Sequence, residues 1–174
     1  GQQSCNLSTF GCTSFFPSKP LGCYGDGGAI FTSDAALAQA CREIRIHGQS
    51  ARYQHTRVGV SGRMDTLQCA IVLAKLERFD WEVQQRMVLG ARYSQLCQSA
   101  NITHIPLRAG NTSVYAQYTV RIQQREQVQA ALKAAGIPTA VHYPTPLNQQ
   151  IAYRHLCQRP TPIAAQLAQE VMSL

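Results

Sequence analysis

The sequence predicts an α/β protein in two parts, and three patterns carry this prediction. A strand-like run at 29–31 leads into an amphipathic helix with N-cap chemistry before it. A helical pattern then continues from Asp65 to Leu96, and further on the apolar residues recur with period two. Helices that alternate with strands favour an α/β architecture. We place the boundary inside the long helix, which gives domains of residues 1–85 and 86–174.

The composition is that of a globular chain, and it limits the classes of partner. The 174 residues are 45% hydrophobic and 14% charged, with a formal net charge of +7. The 13 arginines are dispersed between Arg42 and Arg159 without a basic run, so we expect no nucleic-acid partner. No apolar stretch approaches the ~20 residues that a spanning helix needs, so we expect no membrane association.

The cysteine pattern indicates a reducing compartment. Seven cysteines form no C-x-x-C pair and no Cys/His spacing of the zinc type, so we predict reduced thiols and no metal site. Disulfides are rare in the cytoplasm, and we therefore expect a cytoplasmic protein. Three N-x-[ST] sequons, at Asn6, Asn101 and Asn111, are the counter-signal for secretion, but such tripeptides arise easily by chance.

The first part begins with a loop-rich segment and continues with two helices. Asp34 supplies a cap for the first helix, and Gly48 is expected to close it in the left-handed conformation. Asp65 can cap the second helix. The apolar residues of this helix occupy more than one face, which predicts burial between layers or against a partner subunit.

The second part carries the pattern of a β-α-β unit. Residues 114–123 alternate between apolar and polar side chains, which predicts a strand with one buried face. An amphipathic helix ending at Gly136 follows, and residues 138–143 return as a strand. A last helical pattern runs from Ile163 to Leu174.

One of the three lysines lies in an unusual setting. Lys75 and Lys133 occupy helical patterns where the ammonium group reaches water, so we interpret both as surface lysines. Lys19 instead lies between Pro17 and Pro20, which stiffen the backbone. Nearby aromatic side chains favour desolvation of the amine, as a nucleophilic lysine requires. A lysine in a surface turn remains the alternative at this point.

Three segments together resemble the DegT/DnrJ/EryC1/StrS family of pyridoxal-phosphate-dependent sugar aminotransferases. SFFPSKPLGCYGDGGAIFT, residues 14–32, is similar to the segment that carries the family's cofactor lysine. RYQHTRVGVSGRMDTLQCAIVLAKL, residues 52–76, and GIPTAVHYPTPLNQQ, residues 136–150, resemble two further family segments in the same order. The resemblance covers essentially the whole chain. It implies a fold type I transferase, with the end of the large domain followed by the small C-terminal α/β domain.

The resemblance also implies roles for individual residues. Lys19 would bind pyridoxal phosphate covalently and act as the catalytic residue, and Ser14 would donate a hydrogen bond to the cofactor phosphate. Ser61 stands where the family usually has an Asn that reaches the phosphate across the dimer, and serine is shorter. Arg63, His142 and Tyr143 match substrate positions. From the residues alone, Arg63 could equally form a surface ion pair, and His142 and Tyr143 could be packing residues.

The implied reaction is amino transfer to a nucleotide-linked keto sugar in bacterial lipopolysaccharide and O-antigen synthesis. By resemblance the expected substrate is UDP-2-acetamido-2-deoxy-3-oxo-glucuronate, the amino donor is L-glutamate, and the enzyme is a homodimer with a shared active site. Lys19 would move the proton in both halves of the reaction.

Other interpretations remain open at this level. The family's large domain begins well before the lysine, so we expect a C-terminal fragment that is inactive in isolation. The alternatives are a 4-keto sugar as substrate, a catalytically silent homologue that acts as a binding or regulatory module, and a basic domain that binds nucleotides or nucleic acid.

Overall fold

Over residues 2–157 and 159–174, the computed structural model has four α-helices and seven short strands. The chain divides into two compact units, Gly1–Gln84 and Gln85–Leu174, called unit 1 and unit 2 below. In chain order the elements are β1 (Gly11–Ser14), β2 (Gly28–Phe31), α1 (Ala35–Ile44), β3 (Gln49–Ala51), β4 (Gln54–His55), α2 (Thr66–Ser99), β5 (Thr103–His104), β6 (Thr119–Arg121), α3 (Arg125–Ala134), α4 (Pro162–Glu170) and β7 (Val171–Ser173).

Unit 1 contains two antiparallel hairpins, β1–β2 and β3–β4, and the helix α1. Asp34 caps α1 as predicted, because its carboxylate accepts hydrogen bonds from the backbone N–H groups of Ala36 and Leu37 at 2.8 and 3.0 Å. The helix ends at Ile44, earlier than expected. Gly48 has a φ of +76°, and its N–H still donates to the Glu43 carbonyl at 2.8 Å. A turn therefore separates the end of the helix from the left-handed glycine.

The long helix α2 begins directly after Asp65, and its presence confirms the predicted helical pattern. Its expected burial within the chain is not found, because Leu67, Leu73 and Leu76 are exposed while Val72 is buried. Among the described residues, no helix is long and apolar enough to cross a membrane.

Unit 2 is built on an antiparallel sheet in the order β5–β6–β7. Its core consists of Cys97 from α2, Val120 from β6, Met172 from β7 and Tyr118, all of which are buried. Side chains from α3 pack against this cluster. The burial of these apolar groups stabilises the fold of unit 2.

Three predictions about unit 2 require correction. The strand expected over 114–123 is confined to Thr119–Arg121, because Tyr115 has a φ of +43° and interrupts the extended backbone. The second strand of the β-α-β unit, 138–143, is reduced to one bridge between Ala140 and Ser173. This segment still runs parallel to β6, since each is antiparallel to β7.

The third correction concerns the C-terminal pattern. The helix expected over 163–174 ends at Glu170, and Val171–Ser173 form the strand β7. Met172 and Ser173 are buried beside β6, so the pairing of the sheet overrides the helical pattern. Whether unit 1 is the end of a larger cofactor-binding domain stays a prediction.

Candidate active site

Lys19 lies on a loop closed at its base by backbone hydrogen bonds. We call residues 15–24 the lysine loop. The Phe15 N–H donates to the Gly27 carbonyl at 2.8 Å, and the Cys23 N–H donates to the Phe15 carbonyl at 2.7 Å. A turn brings the Lys19 N–H to the Phe16 carbonyl at 2.8 Å. These bonds fix the backbone on both sides of Lys19.

Cys23 supports the loop from inside. The residue is fully buried, and its single S–H is shared between the carbonyls of Phe15 and Gly25, whose oxygens lie 2.9 and 3.0 Å from Sγ. Gly22, its neighbour, allows the chain to turn back on itself, since a Cβ there would lie 2.7 Å from the Pro17 carbonyl oxygen. The sequence by itself predicts only that this cysteine is a reduced thiol.

The Lys19 side chain is exposed, and its amine has no salt bridge to a carboxylate in the described part of the chain. The expectation that this segment by itself desolvates the amine is therefore wrong. Ser14 lies at the end of β1, where its hydroxyl accepts a hydrogen bond from the Phe16 N–H at 3.1 Å. Both the amine of Lys19 and the hydroxyl of Ser14 are exposed, and both residues belong to the end of the β1–β2 hairpin where the chain passes from β1 to β2.

Ser61 and Arg63 lie on the segment that connects the β3–β4 hairpin to α2. Ser61 forms an isolated bridge with Ile46, and the Gly62 N–H donates to the Arg45 carbonyl at 2.8 Å. Ser61 is exposed. Arg63 lines a cavity of about 800 Å³ in unit 1. The cavity wall includes the second half of the β1–β2 hairpin and two further arginines, Arg42 and Arg45.

The carboxylate of Glu43 has a structural role that the sequence predictions do not include. Glu43 is buried and accepts hydrogen bonds from Arg57 Nε at 2.7 Å and from Gln39 Nε2 at 3.0 Å. These bonds hold the pKa of Glu43 below its usual value, and the bond from Arg57 has the largest effect. Gln39 at position i−4 is a helical neighbour that sequence spacing could have identified, whereas Arg57 lies 14 residues away.

His142 and Tyr143 lie in unit 2 and are both exposed. His142 Nδ1 is 3.3 Å from the Ser173 hydroxyl. The rings of His142 and Tyr143 meet edge to face, with centroids 5.5 Å apart. Both residues line a cavity of about 680 Å³. Its other walls are mainly apolar and come from 145–157 and α4.

Lys75, interpreted from sequence as an ordinary surface lysine, has a different setting. It is half-buried, and its ammonium donates to the Gly22 carbonyl at 2.5 Å. The same nitrogen lies 5.0 Å from the centroid of the Tyr24 ring. The contact joins residues that are 53 positions apart, so no local pattern could have indicated it.

Several curated proteins are similar to this chain in sequence. The curated relatives include the UDP-2-acetamido-2-deoxy-3-oxo-D-glucuronate aminotransferase of Pseudomonas aeruginosa, 57% identical over 174 residues, which are all of this chain and 48% of the relative. They also include the UDP-N-acetyl-3-dehydro-alpha-D-glucosamine 3-aminotransferase of Acidithiobacillus ferrooxidans, 35% identical over all of this chain and 47% of the relative. The chain thus spans about half the length of the curated relatives that it matches.

Solved structures of aminotransferases are similar to this chain in fold. A DegT/DnrJ/EryC1/StrS aminotransferase from Brucella abortus superimposes with a TM-score of 0.92 at 38% identity, over 98% of this chain and 46% of that one. DesV of S. venezuelae, solved in complex with a ketimine intermediate, gives a TM-score of 0.93 at 32% identity, over 100% of this chain and 48% of that one. The predicted fold class is confirmed. Since the family profile also matches residues 1–174, the chain belongs to the DegT/DnrJ/EryC1/StrS aminotransferase family.

Proposed function

We propose that the whole protein transfers an amino group from L-glutamate to UDP-2-acetamido-2-deoxy-3-oxo-glucuronate, with pyridoxal phosphate as cofactor. The observation that carries this proposal is the 57% identity, over the full chain, to the Pseudomonas aeruginosa aminotransferase named for that sugar. Lys19 on its closed loop supplies the chemistry that such a transfer needs. The reaction belongs to nucleotide-sugar synthesis for lipopolysaccharide.

The residues of the lysine loop fit part of the cofactor. The Lys19 amine matches an aldehyde, and the Ser14 hydroxyl, at the end of β1 just before the loop, matches a phosphate oxygen. Ser61 is the further candidate for the phosphate. When bound, pyridoxal phosphate supplies an aldehyde that condenses with amines and a conjugated ring that accepts the electrons left behind by a departing proton. Lys19, Ser14 and Ser61 would hold the cofactor in this arrangement.

Lys19 would have a second task as the group that moves the proton. In the first half of the reaction, its Nζ would take the Cα proton of L-glutamate, the amino group would stay with the cofactor, and water would supply the keto oxygen of the departing 2-oxoglutarate. In the second half, the ketone oxygen of the sugar would leave as water, the amino group would pass to C3, and the same nitrogen would return a proton to C3. The closed loop supports this role because a proton donor must be held within hydrogen-bond distance of the reacting carbon.

Arg63 would bind the acidic end of the sugar. A guanidinium group offers two parallel N–H donors that match a carboxylate, and glucuronate carries one at C6. The cavity beside Arg63 is wide enough for a sugar ring, and Arg42 and Arg45 add positive charge to its wall. His142 and Tyr143 are further candidates for contact with the nucleotide sugar.

We further propose a cytoplasmic homodimer whose active site is shared between the subunits. The exposed leucines Leu67, Leu73 and Leu76 on α2 support an association surface of this kind. The seven cysteines are unpaired, which supports a reducing compartment. Sedimentation of the full-length protein should give twice the subunit mass, and a monomer at micromolar concentration would contradict the dimer.

The proposed function is tested on the full-length protein incubated with pyridoxal phosphate. We expect a visible absorption band that borohydride removes, with the label recovered on the peptide containing Lys19. Lys19→Ala should lose the band and the transfer of the amino group from L-glutamate, whereas Lys133→Ala should keep both. Full turnover by Lys19→Ala would contradict the proposal. Amination of a 4-keto sugar in preference to the 3-keto sugar would show that the substrate is a 4-keto sugar.

A further inference from the structure

The lysine loop depends on two side chains from α2 that no step of the reaction uses. Gln68 Oε1 accepts a hydrogen bond from the Tyr24 N–H at 2.8 Å. Lys75 Nζ donates to the Gly22 carbonyl at 2.5 Å and lies over the Tyr24 ring, 5.0 Å from its centroid. The two contacts join α2 to Gly22 and Tyr24, two positions apart at the C-terminal end of the lysine loop.

The spacing of the two residues explains why they act together. Gln68 and Lys75 are seven positions apart, which is about two helical turns, so they lie on one face of α2. The lysine loop meets this face with its backbone, which offers a donor at Tyr24 and an acceptor at Gly22. A helix is a rigid support, and both contacts therefore fix the loop relative to an element outside the hairpin.

The bonds inside the loop do not provide this placement. The contacts among Phe15, Cys23 and Gly27 close the base and fix the shape of the loop. They do not fix the orientation of the whole loop relative to α2, because each of them joins two residues of the same hairpin region. Gln68 and Lys75 are separated from their partners by 44 and 53 positions and bind the loop to α2.

We propose that Gln68 and Lys75 are positioning residues for Lys19, holding the lysine loop so that its exposed amine meets the cofactor aldehyde at bonding distance. This inference rests on the proposed function, since it presumes that Lys19 binds the cofactor. The ammonium of Lys75 is itself occupied by the Gly22 carbonyl and the Tyr24 ring, which makes it a support for the nucleophilic lysine and a poor nucleophile.

The test measures how fast Lys19 becomes bonded to pyridoxal phosphate in the full-length protein, by visible absorbance and by borohydride trapping of the Lys19 peptide. Lys75→Met keeps an unbranched apolar stem, one atom shorter than that of lysine, and removes the donor and the charge. We expect trapping to slow by roughly 10- to 100-fold, the loss typical of a misplacement of about 1 Å. Lys75→Arg should restore most of the rate, because a guanidinium can donate to the Gly22 carbonyl and stack on Tyr24.

Gln68 provides a second, independent pair of variants. Gln68→Glu keeps an acceptor for the Tyr24 N–H and should trap nearly as fast as the wild type, whereas Gln68→Met removes the acceptor and should slow trapping. Lys133→Met in unit 2 is the matched control, since Lys133 is exposed on α3, and it should leave the rate unchanged.

The outcomes separate this inference from the proposed function. A wild-type protein without a reducible bond at Lys19 would overturn both. A normal bond in the wild type, together with unchanged trapping in Lys75→Met and Gln68→Met, would overturn the inference alone. Equal slowing in Lys75→Met and Lys75→Arg, with equally lowered unfolding midpoints, would also overturn it, because a general loss of stability would then explain the rate.

Discussion

At the scale of single residues, charged side chains occur in two different settings. Arg63 lines a cavity of about 800 Å³ together with Arg42, Arg45 and Asp26. Glu43, by contrast, is buried and neutralised by Arg57 at 2.7 Å. The first arrangement leaves positive charge free for a ligand, and the second uses charge to hold the chain together.

Arg63→Met should discriminate between acidic and neutral sugars in the full-length protein. A hydrogen-bonded charge pair contributes about 1.5–3 kcal/mol, so we expect KM for the glucuronate substrate to rise about 10- to 100-fold. KM for the corresponding sugar with a C6 hydroxymethyl group should change little. Arg78→Met is the control, because the Arg78 guanidinium stacks on Trp81 at 4.0 Å. An equal rise for both sugars would show that Arg63 does not bind the carboxylate.

Glu43→Gln should reduce stability in a pH-dependent way. The bonds from Arg57 and Gln39 lower the pKa of Glu43 from 4.5 in the folded state. The carboxylate therefore stabilises the fold above that value, and this contribution is lost as the pH falls through the lowered pKa. Urea unfolding of the full-length protein should show a deficit in Glu43→Gln at pH 7 that shrinks in acid. Glu77→Gln, on the exposed surface of α2, serves as the control, and a deficit independent of pH would exclude this role.

At the scale of elements, α2 is shaped by the side chains that lie against it. Gly90 is buried in the interior of this helix, and a Cβ there would lie 2.4 Å from ring atoms of Tyr115. The Tyr115 ring in turn lies 5.7 Å from the ring of Tyr118, centroid to centroid. The helix thus has its glycine where an aromatic ring approaches the backbone.

Gly90→Ala sets two effects of opposite sign against each other. Alanine favours a helix over glycine by about 1 kcal/mol, whereas overpacking costs typically 1–3 kcal/mol. Because the clash involves Cγ and both carbons on one side of the Tyr115 ring, we expect the cost to win and the unfolding free energy to fall. In a Tyr115→Ala background the same substitution should become stabilising. A stabilised single variant would mean that the ring moves aside freely.

Local periodicity predicted the helices better than the strands. α1, α2 and α3 follow from caps and from apolar residues at helical spacing, which are properties of neighbouring residues. The strands are short and depend on partners elsewhere: β7 forms because Val120 pairs with Met172, more than 50 positions away. The residues of the candidate site differ in the same way. The setting of Lys19 is visible in its own segment, whereas the role of Lys75 depends on its hydrogen bond to the distant Gly22 carbonyl.

At the scale of the whole molecule, the chain leaves many apolar side chains exposed. Leu67, Leu73, Ile151 and Ile163 are each more than 60% exposed, as are several others. The chain also spans only about half the length of its curated relatives. We expect the rest of the protein and a second subunit to cover these surfaces. Lys19, which is exposed in the same chain, would be covered with them.

The isolated 174-residue chain should therefore lack selectivity for Lys19. Selective bonding requires an amine in a desolvated site with the phosphate held nearby, whereas the described residues leave Lys19 exposed. After incubation with pyridoxal phosphate and borohydride, mass spectrometry should find comparable labelling of Lys19 and Lys133 and less of half-buried Lys75. In the full-length protein the label should concentrate at Lys19. Strong preference for Lys19 in the isolated chain would show that the lysine loop and its contacts with α2 suffice to make this amine reactive.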